Sequence, residues 1–365
     1  MNNSISALSE VLNLEPYSLN KEEKHAMLTS ELKTLTAFHY HHSAFYKKML
    51  DALGFDIDAI DSYHDIPFLP VRMFKELDLL SIAKEEVVKT MTSSGTTGQK
   101  VSKIYLDRDT ASSQTKILTK IVSNFIGKKR IPMLILDSSS VVKDRTMFSA
   151  RGAGILGFSM FGSDRYYAFD EQMQLDIAGI EAFLAKHPNQ PIFLFGFTFM
   201  IWQHFYKELE KSTYKPDLSQ GILIHGGGWK KILSEAVSQE EFKARLNKVC
   251  GILPKNVHDY YGMVEQTGTI YMECEQGHLH SSVFSDVVIR RPLDFGIAEI
   301  NEPGIIEVLS LLPHSYPGHA LLTEDEGVIL GEDDCACGRL GKYFKVIGRI
   351  KNAEIRGCSD TYATK

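Results

Sequence analysis

The sequence predicts an α/β protein with a helical N-terminal region and a β-rich C-terminal subdomain, and three patterns support this. Residues 1 to about 80 carry apolar side chains at helical spacing. From residue 88, short apolar runs separated by glycines alternate with helical stretches, as in a sheet covered by helices. After residue 280 the pattern is strand-only. A chain of 365 residues also exceeds a comfortable single core, so we expect one subdivided domain or two domains.

The N-terminal region is predicted to contain two helices. Apolar residues recur at helical spacing in residues 21–38, and a second helix is expected to end before Gly54. The histidines within residues 39–42 could bind a metal, but their aromatic neighbours favour a helical packing interface.

Apolar segments in the middle of the chain predict the strands of the main sheet. Four short apolar segments are typical of strands buried on both faces, namely residues 131–136, 191–195, 221–224 and 256–261. The helical patterns between them cover residues 170–186 and 234–249. The longest apolar run, residues 191–202, falls short of the roughly 20 residues that a membrane span needs. It is therefore predicted as a buried strand that continues into a helix.

Composition and charge are those of an ordinary globular protein, and they argue against several other classes of protein. Hydrophobic residues make up 44% and charged residues 24% of the chain, which is usual for soluble domains. The net charge of −6 argues against a non-specific nucleic-acid binder. The polar N-terminus has no secretory signal pattern, and five cysteines, an odd number, indicate reduced thiols. We therefore expect a cytoplasmic protein without a membrane span.

A run rich in hydroxyls and glycines is the most informative stretch of the sequence. It follows a strand-like segment at residues 86–91 and comprises Thr92, Ser93, Ser94, Gly95, Thr96, Thr97 and Gly98, with Lys100 close behind. Hydroxyls and backbone amides can surround a polyphosphate, and glycines let the backbone approach its oxygens closely. The spacing differs from GxxxxGK[ST], which argues against a P-loop NTPase. By itself such a cluster is more often an ordinary surface loop.

Four further segments follow this run along the chain. In order they are Gly226, Gly227 and Gly228, then residues 260–265 with Tyr261, Gly262 and Glu265, then Asp325, and finally Arg349. The three glycines follow an apolar strand and could let a flat ligand lie against bare backbone, although a tight turn explains them equally well. The carboxylate of Glu265, together with phosphate oxygens, is a usual way of holding Mg²⁺.

Taken together, these motifs resemble the adenylate-forming ligase superfamily, whose members activate a carboxylic acid with ATP. The resemblance implies that Tyr261 stacks on adenine, that Glu265 holds Mg²⁺ and that Asp325 binds the ribose hydroxyls. Arg349 matches the arginine that follows that aspartate. The phosphate loop of the superfamily continues Thr-Gly-x-Pro-Lys-Gly, whereas residues 96–100 read Thr-Thr-Gly-Gln-Lys. Phosphate contact is therefore assigned first to hydroxyls and amides, and only then to Lys100.

The chemistry implied by this resemblance is acyl adenylation of a fatty acid. The carboxylate attacks the α-phosphorus of ATP and gives acyl-AMP and pyrophosphate. Extra negative charge in the transition state is stabilised by Mg²⁺, amides and cations, and no covalent nucleophile is needed.

The C-terminal tail adds a more specific resemblance. Sixteen residues follow Arg349, among them Cys358, whereas most adenylate-forming ligases continue with a mobile domain. An isolated cysteine of this kind is usually an incidental thiol. The tail and residues 38–42, 65–70, 73–75, 92–96 and 226–230, however, resemble the LuxE-type acyl-protein synthetases, or long-chain-fatty-acid–luciferin-component ligases. The resemblance implies that Cys358 accepts the acyl group from acyl-AMP and passes it to a partner acyl reductase.

The same resemblance gives a division of the chain into three parts. We expect a helical N-terminal region packed on the core (1–85), an adenylate-forming core (86–345) and a short arm carrying Cys358 (346–365). The mobile C-terminal domain of the superfamily is expected to be absent.

A second group of cysteines calls for a separate interpretation. Residues 274–280 and 335–337 offer three thiols and two imidazoles, and four such soft ligands suit tetrahedral Zn²⁺. We predict a structural zinc on Cys274, His280, Cys335 and Cys337, with buried hydrophobic-like cysteines as the alternative. Phenylacetate–CoA ligase-like members of the superfamily resemble this pattern.

Two other functions stay open at this point. One is an acyl- or aryl-CoA ligase of phenylacetate type, against which the missing C-terminal domain argues. The other is a non-catalytic nucleotide-binding subunit of a reductase complex, against which the intact hydroxyl–glycine run and Glu265 argue.

Overall fold

The computed structural model describes residues 8–93, 100–143 and 150–350 of the chain. In chain order its helices are α1 (Lys21–His42), α2 (Ala44–Leu53), α3 (Met73–Glu76), α4 (Arg108–Ile126), α5 (Ser140–Lys143), α6 (Ala150–Ser159), α7 (Ile177–Lys186), α8 (Thr198–Met200), α9 (Lys207–Lys211) and α10 (Gln239–Cys250). A π-helical segment, Ile201–Tyr206, joins α8 to α9. Residues 191–202 therefore form a buried strand that continues into a helix, as the sequence predicts.

The strands are β1 (Leu69–Pro70), β2 (Lys89–Thr92), β3 (Lys103–Leu106), β4 (Ile131–Ser138), β5 (Gly162–Phe169), β6 (Ile192–Phe197), β7 (Gly221–Gly226), β8 (Val257–Tyr261), β9 (Tyr271–Glu273), β10 (Leu279–His280), β11 (Ser285–Arg290), β12 (Gly304–Ser310), β13 (Ala320–Glu332) and β14 (Lys342–Arg349). Apart from the β2–β3 hairpin, they join one sheet that has 12 strands in the described part of the chain. Its order is β11-β12-β13-β14-β10-β9-β8-β7-β6-β4-β5, with β1 paired to β13.

The sheet has a parallel half and an antiparallel half. Strands β5, β4, β6, β7 and β8 pair in parallel, and every residue of β6 is buried, as is typical of a central parallel strand. From β8 onward, β9 to β14 pair antiparallel. The predicted α/β class, with a β-rich C-terminal subdomain, is confirmed.

Two predicted helices begin later than their apolar patterns suggest, because side-chain caps set their first turns. Helix α7 begins at Ile177, where Asp176 Oδ1 accepts the Gly179 N–H at 2.9 Å. The preceding residues form a turn in which Asp170 Oδ1 accepts the backbone N–H of Gln172 and Gln174. Helix α10 begins at Gln239, after the Ser238 cap. Caps of this kind satisfy amides that a helix leaves unbonded at its start.

The N-terminal helices contact the sheet through buried polar groups. His39 on α1 is fully buried, stacks on His319 with ring centroids 4.8 Å apart and contacts Ser81 at 2.7 Å. Lys24 Nζ lies 3.1 Å from Asp286 on β11, and Lys342 on β14 contacts the same carboxylate at 2.8 Å. Of the histidines in residues 39–42, which were predicted to form a packing interface, His39 lies in such an aromatic interface, whereas His41 and His42 are exposed. No helix in the described ranges is both long and apolar enough to cross a membrane.

Candidate functional site

The three glycines predicted to meet a ligand lie where β7 ends. Gly226 is the last residue of β7 and pairs with Tyr260 on β8, whose ring lies 2.7 Å from where a Gly226 Cβ would be. Gly227 and Gly228 follow with φ of 85° and 62°, values that non-glycine residues rarely adopt. A Cβ at Gly227 would meet the Phe197 ring at 2.8 Å. The turn therefore requires glycine at two positions and lies at the carboxyl edge of parallel strands, where open α/β sheets bind ligands.

Tyr261, Asp325 and Arg349 are brought together although they are far apart in the sequence. The Tyr261 hydroxyl donates to Asp325 Oδ2 at 2.8 Å. Asp325 on β13 is paired in register with Arg349 on β14, and Arg349 Nε lies 3.5 Å from Asp325 Oδ1. Burial and the nearby Asp325 charge hold the Tyr261 pKa well above its usual range, so the phenol remains a hydrogen-bond donor. The three groups form one polar unit at the edge of the sheet.

Glu265 lies in a short 3₁₀ turn, Val264–Gln266, just after β8. Its side chain is buried, and its backbone carbonyl accepts the Tyr316 hydroxyl at 2.8 Å. The next residue, Gln266, donates its side-chain amide to the carbonyls of Gly318 and Val308 at 2.8 and 3.1 Å. The backbone around Glu265 is therefore fixed by Tyr316 from outside the turn and by the side chain of Gln266 within it. Gly262 precedes it, and a Cβ there would lie 3.0 Å from Ile270.

Only part of the hydroxyl–glycine run falls within the described residues. Thr92 ends β2, and Ser93 Oγ accepts the Ser102 N–H at 2.9 Å, which closes the base of the β2–β3 hairpin. Lys100 forms an exposed ion pair with Glu76 at 2.5 Å. Five predicted phosphate contacts lie outside the described residues: Ser94, Gly95, Thr96, Thr97 and Gly98. Cys358, the predicted acyl acceptor, also lies outside them.

The predicted zinc ligands converge. Cys274, His280, Cys335 and Cys337 each offer an atom within 4.8 Å of all the others. Cys274 and Cys335 Sγ are 3.9 Å apart, and Cys337 Sγ lies 3.4 Å from His280 Nε2. Two tight turns present the thiols, with positive φ at Gly277 and Gly338.

Backbone and side-chain donors surround this cluster as they would surround bound thiolates. The Gln276 N–H points at Cys274 Sγ and the Arg339 N–H at Cys337 Sγ, both at 3.4 Å. His278 Nδ1 lies 3.4 Å from Cys335 Sγ. Burial raises the pKa of the Cys274 thiol to about 12 and lowers that of His280 to about 4. Without a cation the Cys274 thiol would therefore be protonated, whereas a bound metal would favour the thiolate. The donor set fits a tetrahedral soft-metal site.

Several side chains that shape the site carry no signal in the sequence. Thr198 Oγ1 lies 3.1 Å from the Gly226 carbonyl and 3.0 Å from His225 Nδ1. Tyr316 and Gln266 hold the Glu265 turn. These contacts depend on the packing of distant segments, so neither periodicity nor motif spacing could have indicated them.

Two known ligases are similar to this chain in sequence. A long-chain-fatty-acid–luciferin-component ligase from Vibrio harveyi is 23% identical over 377 residues, covering 98% of this chain and 93% of that protein. A phenylacetate-coenzyme A ligase from Thermus thermophilus is 31% identical over 116 residues, which is 30% of this chain and 25% of that protein.

Solved structures agree in fold. A 2-hydroxyisobutyryl-CoA ligase structure in the postadenylation state superposes with a TM-score of 0.68 at 14% identity, covering 91% of this chain and 69% of that chain. An open conformation of that ligase gives 0.69, also at 14% identity, and covers 93% and 77%. At this identity the likeness establishes the fold. The predicted adenylate-forming core is confirmed as a fold.

The most extensive match is to a protein family as a whole. The statistical model of the family described as acyl-protein synthetase, LuxE, matches residues 2–365. This chain is therefore a member of the LuxE acyl-protein synthetase family.

Proposed function

We propose that this protein activates a fatty acid with ATP to form an acyl adenylate, and then transfers the acyl group to its own Cys358. The observation that carries the first half is the polar unit of Tyr261, Asp325 and Arg349 beside the Gly226–Gly228 turn. It supplies an aromatic face, a carboxylate and a cation at the carboxyl edge of the sheet. Membership of the LuxE family and the name of the Vibrio harveyi relative support a ligase acting on long-chain fatty acids.

Each group has a definite task in this proposal. Asp325 accepts hydrogen bonds from the ribose hydroxyls, and Tyr261 orients that carboxylate while its ring lies against adenine. Glu265 would hold Mg²⁺, which would neutralise charge on the phosphates. The hydroxyls and amides of residues 92–98 would surround the phosphate oxygens, with Lys100 at their margin. The chain's residues thereby position ATP and the acid rather than react covalently.

The bond changes in the first step are simple. A carboxylate oxygen of the acid forms a bond to the α-phosphorus of ATP, and the bond from that phosphorus to the bridging oxygen breaks. Pyrophosphate leaves with the electron pair. Because this step is reversible, labelled pyrophosphate enters ATP only when a suitable acid is present. Acid-dependent ATP–pyrophosphate exchange with a panel of acids tests this half, and its absence with every acid would refute adenylation.

The second step uses Cys358 as acceptor. Its thiolate forms a bond to the acyl carbon, the bond from that carbon to the AMP oxygen breaks, and AMP leaves. The positive charges of Lys351 and Arg356 nearby in the sequence favour the thiolate. We expect Cys358→Ser to retain pyrophosphate exchange and to lose labelling by radioactive fatty acid plus ATP. Thioester labelling that persists in Cys358→Ser would contradict this assignment. The thioester would then pass to an acyl reductase partner.

A CoA ligase is the second candidate, favoured by the 31% identity to the phenylacetate-coenzyme A ligase. Adding CoA to the parent protein with acid and ATP distinguishes the two. Release of acyl-CoA with no labelled protein would favour the CoA ligase. A non-catalytic subunit would bind nucleotide without any exchange.

We also propose a structural zinc on Cys274, His280, Cys335 and Cys337. Four ligands leave no open position, which is typical of structural rather than catalytic zinc. The metal would join the β9–β10 hairpin to the loop after β13. Its contribution would be to the stability of the antiparallel half of the sheet.

A further inference from the structure

The loop between β12 and β13, residues 311–319, contacts two parts of the proposed ATP site, which also meet each other where Thr267 lies 3.9 Å from Met91 on β2. One is the β2–β3 hairpin, which carries the hydroxyl–glycine run. The other is the turn that carries Glu265. Adjacent residues make the two contacts, namely Ser315 and Tyr316, and both are fully buried.

Ser315 attaches the loop to the hairpin and to α4. Its hydroxyl donates to the Tyr105 carbonyl on β3 at 2.7 Å. Its backbone N–H donates to Thr110 Oγ1 at 3.2 Å, and its carbonyl accepts the Ser81 N–H at 2.8 Å. Tyr105 pairs with Thr90 on β2, two residues before Thr92. Ser315 is therefore one of the contacts that fix where the hairpin lies relative to the sheet.

Tyr316 attaches the same loop to the Glu265 turn. Its hydroxyl donates to the Glu265 carbonyl at 2.8 Å, and its ring packs edge-on against Phe74 at 5.9 Å. The loop meets the turn again at Gly318, whose carbonyl accepts the Gln266 side-chain amide at 2.8 Å. A Cβ at Gly318 would lie 3.2 Å from the Glu265 carbonyl oxygen, so loop and turn are in close contact.

We propose that Ser315 and Tyr316 are positioning residues that fix the distance between the phosphate-binding hairpin and the Mg²⁺-binding carboxylate of Glu265. The inference rests on the proposed adenylation function. Both side chains are fully buried and bond to backbone carbonyls. Ser315 acts through the Tyr105 carbonyl and Tyr316 through the Glu265 carbonyl. Loss of either hydrogen bond would let the hairpin shift relative to the Glu265 turn.

The test compares variants that each lose one buried hydroxyl. Tyr316→Phe removes the donor to Glu265, and Ser315→Ala removes the donor to Tyr105. Tyr271→Phe is the matched control, because Tyr271 is equally buried and its hydroxyl donates at 2.9 Å to a backbone carbonyl, that of Asp286, outside the loop. All three should unfold at somewhat lower temperature, since each loses at least one buried hydrogen bond; Tyr316→Phe also loses the bond that its hydroxyl accepts from Gln114 Nε2 at 3.5 Å.

The measured quantity is the Mg²⁺ concentration that gives half-maximal pyrophosphate exchange. We expect Tyr316→Phe to raise it by about three- to tenfold, and Tyr271→Phe to leave it unchanged. Ser315→Ala should raise the KM for ATP. Both quantities are measured in both single variants and in the double variant. For each quantity, the double variant should change by less than the product of the two single changes, because both residues act through one loop. A Tyr316→Phe variant with the same Mg²⁺ requirement as Tyr271→Phe would overturn the inference.

A binding measurement separates this inference from the proposed function. Mn²⁺ binding in the presence of ATP, followed by electron paramagnetic resonance, needs no turnover. Weaker Mn²⁺ binding by Tyr316→Phe than by Tyr271→Phe supports the positioning role even if the parent shows no exchange. Equal Mn²⁺ binding by the two variants overturns it, whether or not the parent catalyses exchange.

Discussion

Tyr261 and Asp325 are 64 residues apart in the sequence, yet a hydrogen bond of 2.8 Å joins them. Tyr261 ends the last parallel strand, β8, and Asp325 lies on the antiparallel strand β13. The bond therefore crosses from one half of the sheet to the other. It sets the direction in which Asp325 presents its carboxylate, and Arg349 supports that carboxylate from β14.

Replacing Tyr261 by Phe removes only this donor. We expect the KM for ATP to rise by about five- to twentyfold, because a reoriented Asp325 would bind ribose less well. Tyr40→Phe is the control, since Tyr40 makes the same kind of bond, 2.8 Å to Asp51, on an exposed helix surface. Steady-state kinetics of both variants check this. Equal KM values for the two variants would show that Asp325 does not depend on Tyr261.

The cysteine cluster predicts a bound metal that supports the fold. Protein purified without chelators should contain about one zinc per chain by elemental analysis. Cys335→Ser should lose it and unfold at lower temperature. Cys250→Ser is the matched control, because Cys250 is buried but bonds to the Leu246 carbonyl outside the cluster. Full zinc content in Cys335→Ser, or no zinc in the parent, would contradict the site.

Buried neutral histidines predict a loss of stability in acid. Burial, and secondarily His314, lowers the pKa of His319 to about 3, whereas an unfolded imidazole titrates near 6.5. Below pH 6.5 the unfolded state therefore binds more protons, and the free energy of unfolding falls. For His319 alone, the free energy of unfolding is lower at pH 5 than at pH 7 by about 2 kcal/mol.

Buried carboxyls with raised pKa values, such as Asp137 and Glu307, act in the opposite direction. The free energy of unfolding is therefore measured with denaturant at pH 7 and pH 5, and its change between the two pH values is compared between the parent and His319→Gln. The variant should lose less stability than the parent over this interval. His41→Gln, which removes an exposed imidazole from the same helix as His39, should behave as the parent does. Identical pH dependence in all three proteins would refute the role of His319.

Aromatic packing beside the glycine turn predicts a preference for long alkyl acids. Phe158 stacks on Phe195 at 4.2 Å and lies 5.4 Å from Tyr260, and Phe197 packs against Gly227. Each methylene buried there would add up to about 0.8 kcal/mol, or nearly fourfold in kcat/KM. Exchange kinetics with acetate and tetradecanoate test this. Equal efficiency with the two acids would contradict an apolar acyl site.

The sequence predicted the elements that have a strong pattern and missed those that depend on packing. Four of the five parallel strands were predicted because both faces are buried, which produces continuous apolar runs such as that of β6. The fifth, β5, was missed because it is partly exposed and has no such run. Helix starts were misplaced because polar caps at Asp176 and Ser238 decide them, whereas apolar spacing continues past them.

The candidate site likewise contains residues that a motif indicates and residues that only the packing reveals. Motif order was sufficient to select Tyr261, Asp325 and Arg349, since residue types at fixed places carry the resemblance. Ser315 and Tyr316 could not be selected, because their roles arise only when the β12–β13 loop packs against the hairpin and the Glu265 turn. Hydroxyls that donate to backbone carbonyls leave no trace in sequence spacing.

Acid-dependent ATP–pyrophosphate exchange in Glu265→Gln tests the central claim most directly. The substitution keeps the size of the side chain and removes the charge that would hold Mg²⁺. Glu307→Gln is the control, because it makes the same substitution at another buried glutamate, which is paired with Arg290 on the neighbouring strand β11. The account predicts exchange in the parent, nearly the same rate in folded Glu307→Gln, and a rate lower by roughly 100-fold or more in Glu265→Gln. Exchange in Glu265→Gln as fast as in the parent would contradict it.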